Sequence, residues 1–272
     1  MKIIDLNADV GEADTPEWAA AEAEILRYVT SANIACGGHA GNDESMRKTV
    51  RAAKTNGVVI GAHPAYPDKE NFGRRSLELG ADISSENLEA ALKQQILRLR
   101  EIAREEGISV SYVKPHGALY NDAVKDRQKA ELIAKVVSDI NGGLTLLGGP
   151  NSEMKRAAEK YGLEFVAEGF IDRRYTNEGH LLSRAKEGAV LKTDEARIEQ
   201  ALSLATQQQV RTNSGDKLTI NAGSLCLHGD SQGAVHTAQK ARAALEQAGI
   251  KIQAFIPRNE SDAKMTRAIN GV

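Results

Sequence analysis

Val113-Lys114-Pro115-His116-Gly117-Ala118-Leu119-Tyr120 sets a cation and an imidazole where an apolar run stops and a Gly-Ala turn begins. The residues before it, Ser109 to Val113, read as a short buried strand. Pro115 removes a backbone donor and disfavours helix for Lys114, so the polar pair sits at the C-terminal edge of that strand. The same succession recurs along the chain: an apolar run, a cluster of His, Asp, Glu, Asn or Arg, and then a helix.

Upstream, Ile3, Ile4 and Leu6 lead into Asn7-Ala8-Asp9-Val10-Gly11-Glu12, and Thr15-Pro16 caps a helix expected through about Val29. Ala32, Ile34 and Ala35 end in Cys36-Gly37-Gly38-His39, with a helix from Asp43 to Lys54 after it. Val58, Val59 and Ile60 run to His63-Pro64 and a long loop carrying Tyr66, Asp68, Phe72, Arg74 and Arg75; loops of this length in a compact domain are usually functional or mobile. Leu88, Leu92, Ile96, Leu99 and Ile102 recur at three- and four-residue intervals, which predicts an amphipathic helix from Ser84 to about Glu106.

Downstream, a helix over about Asp126 to Ile140 leads to a strand at Leu144 to Leu147 that stops at Gly148-Gly149-Pro150. Phe165 and Val166 run into Glu168-Gly169-Phe170-Ile171-Asp172-Arg173-Arg174-Tyr175. In the last repeat Leu218, Ile220, Ala222, Leu225 and Leu227 approach His228-Gly229-Asp230, before a helix at Ala234 to Ala248 and a final strand at Ile250 to Phe255. Seven or eight β/α units argue for a parallel sheet. An open sheet gathers ligand at one switch point, whereas here nearly every strand ends in polar chemistry. The expected fold is therefore α/β, a TIM-like (β/α) barrel, with an irregular seven-stranded form admitted, in one domain over residues 1–272.

The 35 Lys and Arg against 37 Asp and Glu, without blocks of like charge, give no sign of a nucleic-acid partner. No apolar run approaches a membrane span, and the N-terminus enters a strand without a signal-peptide pattern, so a cytoplasmic location is expected. Cys36 and Cys226 are too few and too far apart for a disulfide framework and read as reduced; beside site histidines a thiol nucleophile is one reading, and small buried core residues are the favoured one. There is no P-loop and no Rossmann fingerprint, so the chain shows no nucleotide site of its own.

Taken alone, each strand-end histidine reads as a satisfied structural residue. Their common position favours chemistry for His39, His63, His116 and His228, and a surface role for His180 and His236. Asp9 and Glu12 are either turn and helix-start carboxylates or a general base or metal ligand; Asp9, His39 and His63 make a His/carboxylate set of hydrolytic type. Lys114 is a salt-bridge partner or a stabiliser of developing negative charge. Arg74, Arg75, Arg173 and Arg174 are solvated loop charges or clamps for a substrate carboxylate.

Read together, Asp5 to Glu12, Ala32 to Gly41, Gly61 to Asp68, Phe72 to Arg75, Val113 to Asn121, Glu168 to Arg173 and Cys226 to Asp230 resemble the LamB/YcsF family, in collinear order over nearly the whole chain. Two departures stand in one loop: Gly38 where the family usually has Phe, and Asn42 where it usually has Asp.

The resemblance implies the A subunit of bacterial 5-oxoprolinase: a barrel related to glycoside hydrolases and polysaccharide deacetylases, which works with subunits B and C to convert 5-oxoproline, ATP and water into glutamate, ADP and phosphate. ATP would be consumed on or with the partner subunits, and a divalent metal is left open, with Asp9, His39 and His63 as its candidate ligands. The catalytic set expected is Asp9, Glu12, His39, His63, Lys114, His116 and His228, with Asp9 or Glu12 as general base. Asn7, Arg74, Arg75, Tyr120, Glu168, Asp172 and Arg173 are the residues expected to bind substrate. Two other readings stand beside this one, a free-standing metal-dependent deacetylase or amidohydrolase and a carrier that binds the lactam without catalysis.

Overall fold

Alternation along β1 (Ile3–Val10) sorts its side chains into two sets. Ile4, Leu6, Ala8 and Val10 join the main apolar core. Asp5, Asn7 and Asp9 instead hydrogen-bond to Ser31, Asn33 and Ser224 of other strands and to Lys114, the residue after one. That polar face is the inside of a barrel. This computed structural model describes residues 2–140, 142–229 and 233–257, so Asp230 lies outside the described residues.

In chain order the elements continue as α1 (Pro16–Ile25), β2 (Ser31–Ala35), α2 (Asp43–Asn56), β3 (Val59–His63), α3 (Ser85–Glu105), β4 (Val110–Val113), α4 (Gly117–Ala123), α5 (Arg127–Asp139), β5 (Thr145–Gly148), α6 (Glu153–Lys160), β6 (Phe165–Phe170), α7 (Asp194–Gln207), β7 (Gln209–Arg211), β8 (Lys217–Thr219), β9 (Ser224–His228), α8 (Ala234–Gln247) and β10 (Lys251–Ile252). Parallel pairing runs β1-β2-β3-β4-β5-β6-β9, and β9 pairs back onto β1 from Asp5↔Ser224 to Asp9↔His228. The expected barrel is thus present, closed with seven parallel strands.

Helices pack around the outside by the periodicity read from the sequence. In α3, Ser84 caps the first turn by accepting the Asn87 N–H at 3.1 Å, and Leu88, Leu92, Ile96, Leu99 and Ile102 are buried. Full burial of each such side chain contributes roughly 1.5–3 kcal/mol. Val59, Tyr112 and Leu147 form a small apolar cluster separate from the main core, and Phe255 packs on Tyr112 with ring centroids 5.1 Å apart.

Three segments differ from the sequence-based expectation. The Gly-Ala "turn" after His116 is the start of α4, which Gly117 enters with φ +56. The run Leu218 to Leu227 is not one strand, because Leu218 belongs to an antiparallel β7–β8 hairpin outside the barrel. The final strand is only β10, paired to the first residues of β1. No helix among the described residues is long and apolar enough to cross a membrane.

Candidate active site

Because all seven barrel strands are parallel, their C-terminal ends deliver side chains to one rim. Asp9 arrives near the end of β1, and Glu12 follows through Gly11, whose φ of +76 turns the chain over the rim. A carboxylate from α1 fixes that turn: Glu22 accepts the Gly11 and Glu12 backbone N–H groups at 2.9 and 3.0 Å. Glu22 carried no signal in the sequence beyond an ordinary helical glutamate.

Lys114 lies at the floor, fully buried. Its Nζ is 2.8 Å from Asp9 Oδ1 and 2.9 Å from Glu168 Oε1, with Cys226 Sγ at 3.1 Å. Burial opposes the ammonium, but Asp9 and the other nearby negative groups outweigh it and hold the Lys114 pKa well above the ordinary lysine value. Asp9 also accepts from Asn33, which accepts from Tyr112, so the pair is locked by hydrogen bonds reaching into the barrel. Neither Asn33 nor Tyr112 was a sequence-based candidate.

Beside this ion pair three imidazoles meet one carboxylate. Glu12 Oε1 is 2.8 Å from His39 Nε2, 3.3 Å from His116 Nδ1 and 3.9 Å from His63 Nε2. His39 and His116 stack with centroids 3.5 Å apart, and His63 stands perpendicular to both. Burial lowers the pKa of His39 to about 4 and moves His116 in the same direction, so both are neutral at pH 7. Asp9 and Glu12 go the other way: burial is overcome by their cationic and hydrogen-bonding neighbours, and both pKa values fall below the carboxylate range. These contacts hold both carboxylates ionised beside the cavity.

Across the mouth, His228 Nδ1 is 2.7 Å from Asp172 Oδ2. Burial of Asp172 is offset by His228, Arg173 and Arg184, leaving its pKa at about 2. An ionised carboxylate on one ring nitrogen fixes the tautomer and leaves the other free for proton transfer. His228 lies over Phe170, ring centroids 5.5 Å apart.

These groups face a cavity of about 750 Å³ lined by Asp9, Glu12, His63, Arg74, Lys114, His116, Tyr120, Phe170, Arg173 and His228, among others. His39 sits behind the lining, against the Phe72 ring. Of the expected substrate binders, Arg74 and Tyr120 reach the cavity, and the Tyr120 hydroxyl is buried without a hydrogen-bond partner among the described residues. Glu168 lines a smaller recess beside it with Tyr120 and Phe170. Arg173 also reaches the wall, yet its Nη2 donates to the Leu182 carbonyl at 2.7 Å and so holds a loop. Asn7 is inside the barrel on Ser224 and Asn33, Arg75 is exposed away from the cavity, and Asp172 serves His228. His236 is exposed and paired with Asp194, while His180 is half-buried in its loop.

Glu12, His39, His63 and His116 are grouped closely enough to hold a metal ion, their ligand atoms all within 4.8 Å of one another. The set shares His39 and His63 with the expected ligands. It has Glu12 in place of Asp9, whose Oδ1 is on Lys114 and whose Oδ2 stands 3.3 Å from His63 Nε2, and it adds His116.

The sequence profile of the LamB/YcsF family matches residues 4–260. The chain belongs to the LamB/YcsF family. Its LamB/YcsF relatives include the 5-oxoprolinase A subunit of Tolumonas auensis, 41% identical over 255 residues that cover 94% of this chain and 100% of the relative. The 5-oxoprolinase A subunit of Nocardia farcinica is 43% identical over 254 residues, covering 93% and 99%. Among solved structures, the lactam utilization protein from Thermus thermophilus superposes with a TM-score of 0.84 at 37% identity, covering 93% of this chain and 100% of that one.

The two departures in the LamB/YcsF loop have local explanations. A Cβ at Gly38 would lie 2.3 Å from Gln95 Oε1, and Gln95 fills that space while bonding both the N–H and the carbonyl of Ala65 at 2.9 Å. Asn42 caps α2 by accepting the Glu44 and Ser45 N–H groups, a role in which Asn and Asp are equivalent.

Proposed function

We propose that this chain is the lactam-opening component of an ATP-dependent 5-oxoprolinase, acting in the cytoplasm as one barrel domain with subunits B and C. Its family and the names of its relatives support the substrate. The observation that carries a catalytic role for this chain is the convergence of a buried, charged Lys114 and an Asp172-oriented His228 on one cavity.

A five-membered lactam is a poor electrophile because its nitrogen lone pair is delocalised into the carbonyl. Phosphorylation of the lactam oxygen by ATP, at a site on or shared with the partners, makes the ring carbon reactive. In the cavity Arg74 takes the substrate carboxylate, and the Lys114 ammonium faces the oxygen where negative charge develops. His228 removes a proton from water as its oxygen adds to the ring carbon. The ring C–N bond then breaks, and the nitrogen takes the proton from His228. The acyl phosphate so formed is cleaved by a second water, so one lactam, one ATP and two waters give glutamate, ADP and phosphate. Asp9 keeps Lys114 in place and charged, Tyr120 offers its hydroxyl to the substrate, and Glu12 with His39, His63 and His116 borders the attacking water.

ATP-dependent glutamate release from 5-oxoproline tests this reading, with the chain alone and with subunits B and C. Activity is expected only in the assembled mixture, and His228→Gln should lower it by about 10²-fold or more without preventing assembly. Full activity of assembled His228→Gln overturns the assignment. The grouping of Glu12 with three imidazoles favours the second reading, a metal-dependent amidohydrolase; it predicts chelator-sensitive hydrolysis without ATP or partners.

A further inference from the structure

We infer that Glu12, His39, His63 and His116 form a binding site for one zinc-class divalent cation, open to the cavity. The inference concerns binding and holds or fails independently of whether the chain opens a lactam.

Backbone carbonyls on the outer ring nitrogens favour one tautomer for each of two histidines. His63 Nδ1 is 2.8 Å from the Lys114 carbonyl oxygen, which only accepts; in the tautomer that donates to it, Nε2, which also stands 3.3 Å from Asp9 Oδ2, is the bare nitrogen. His116 Nε2 is 3.1 Å from the Phe72 carbonyl oxygen, so its Nδ1 is bare in the neutral ring. These two bare nitrogens face each other at 3.0 Å beside the Glu12 carboxylate. Two lone pairs at that distance repel unless a cation or a shared proton lies between them.

Three features favour a metal ion over a proton. Backbone carbonyls on the outer nitrogens are the arrangement that orients metal-ligating histidines. The ligand count is four, and atoms around a tetrahedral zinc stand about 3.4 Å apart when bonds are about 2.1 Å. The contacts of Glu12 Oε1 with the three rings, 2.8 to 3.9 Å, bracket that spacing. Three imidazoles and one carboxylate are also a donor set suited to zinc and its neighbours rather than to magnesium or calcium.

The shell above the cluster is built tightly. Phe72 holds a φ of +54, strained for a non-glycine residue, and its ring stands edge-on to His39 and His116 at 5.2 and 5.5 Å. Below it, a Cβ on Gly73 would come within 2.8 Å of His39 Cβ. His39 Nδ1 has no hydrogen-bond partner among the described residues, which makes His39 the least firmly oriented of the three rings. Bound there, such a cation would act as a Lewis acid toward groups in the cavity.

The test is titration of the chelator-treated full-length chain with Zn²⁺ and with Co²⁺, followed by calorimetry and by visible absorption. One equivalent is expected to bind, with an intense cobalt ligand-field band of low coordination number and a zinc-dependent rise in Tm. His116→Gln should weaken affinity by more than about 100-fold, beyond the range of outer-shell changes. His39→Gln should weaken it less, and His180→Gln should leave it unchanged. Cobalt spectra of the unaltered chain need no variant, so misfolding cannot disguise the result. Binding below one fifth of an equivalent, or affinity that does not respond to His116→Gln in a folded variant, overturns the site and leaves a shared proton as the occupant.

Discussion

His228 Nδ1 and Asp172 Oδ2 are 2.7 Å apart, although 56 residues separate them in the chain. Asp172 follows β6 and His228 ends β9, and these two strands are neighbours in the barrel. The contact turns a strand-end histidine that lines the cavity into an oriented one. Asp172→Asn keeps the shape of the pair but loses the charge that fixes the tautomer. Under the proposed mechanism kcat should fall by about 10²–10⁴-fold with little change in KM. Steady-state kinetics of the assembled complex check this; a change confined to KM would return Asp172 to substrate binding.

Sequence reading found the rim because its residues sit in short polar clusters directly after apolar runs, and parallel strands bring such clusters together. Pairing across strands was not legible. Asp172 could be seen as polar and strand-terminal, but nothing local says whether it faces substrate or His228. The buried column inside the barrel had one signal, the alternation Asp5-Leu6-Asn7-Ala8-Asp9, whose polar members point inward. Asn33 and Tyr112 meet those residues only through barrel closure, and Glu22 reaches the Gly11 turn only because α1 folds back on it. The β7–β8 hairpin was missed because Leu218 and Ile220 continue the apolar spacing of β9.

Glu22 predicts a pH effect on stability. Burial pushes its pKa up to about 7 from 4.5 in spite of the two backbone N–H groups it accepts. From about pH 4.5 to 7 the unfolded chain has given up this proton while the native state still holds it. The unfolded state then binds fewer protons, so stability falls as pH rises through that window and is flat above it. Asp5, raised to about 6 from 3.8, acts in the same direction at lower pH. Glu22→Gln should remove its share, of order 1–3 kcal/mol, from the difference between pH 5 and pH 8. Denaturant curves at the two pH values measure it, and superimposable pH profiles for the two proteins would show that native Glu22 is ionised throughout.

Lys114→Met separates structure from chemistry. It leaves Asp9 and Glu168 buried without their counter-ion, and breaking a buried pair in this way costs about 3–5 kcal/mol. Adding Glu168→Gln removes one of the stranded charges and should recover part of the stability. Activity should stay absent in both variants, because neither restores a cation at the floor. Urea unfolding and turnover of the assembled complex provide the two readouts; recovery of turnover in the double variant would make Lys114 a structural counter-ion only.

Arg74 and Arg75 are adjacent in sequence and were equal candidates there, but the fold treats them differently. Phe72, with its carbonyl on His116 Nε2, and Gly73, with its carbonyl on the Ala118 N–H, anchor the loop to the rim. From that anchor Arg74 lies against the cavity, its guanidinium carbon 4.8 Å from the centre of the Phe72 ring, while Arg75 is exposed outside the cavity. A hydrogen bond from a charged group to the substrate carboxylate is worth about 1.5–3 kcal/mol. Arg74→Ala should therefore raise KM for the lactam by roughly 10- to 150-fold. If the contact is equal in ground and transition states, kcat is unchanged. Arg75→Ala should leave both constants within about twofold, since substitutions at an exposed position of this kind cost within about 0.5 kcal/mol. Comparing the two variants against 5-oxoproline and against 2-pyrrolidinone, which has no carboxylate, completes the test: the Arg74→Ala penalty should vanish for the second compound. A penalty of equal size for both would mean that Arg74 shapes the loop over His39 and His116 and does not hold the substrate.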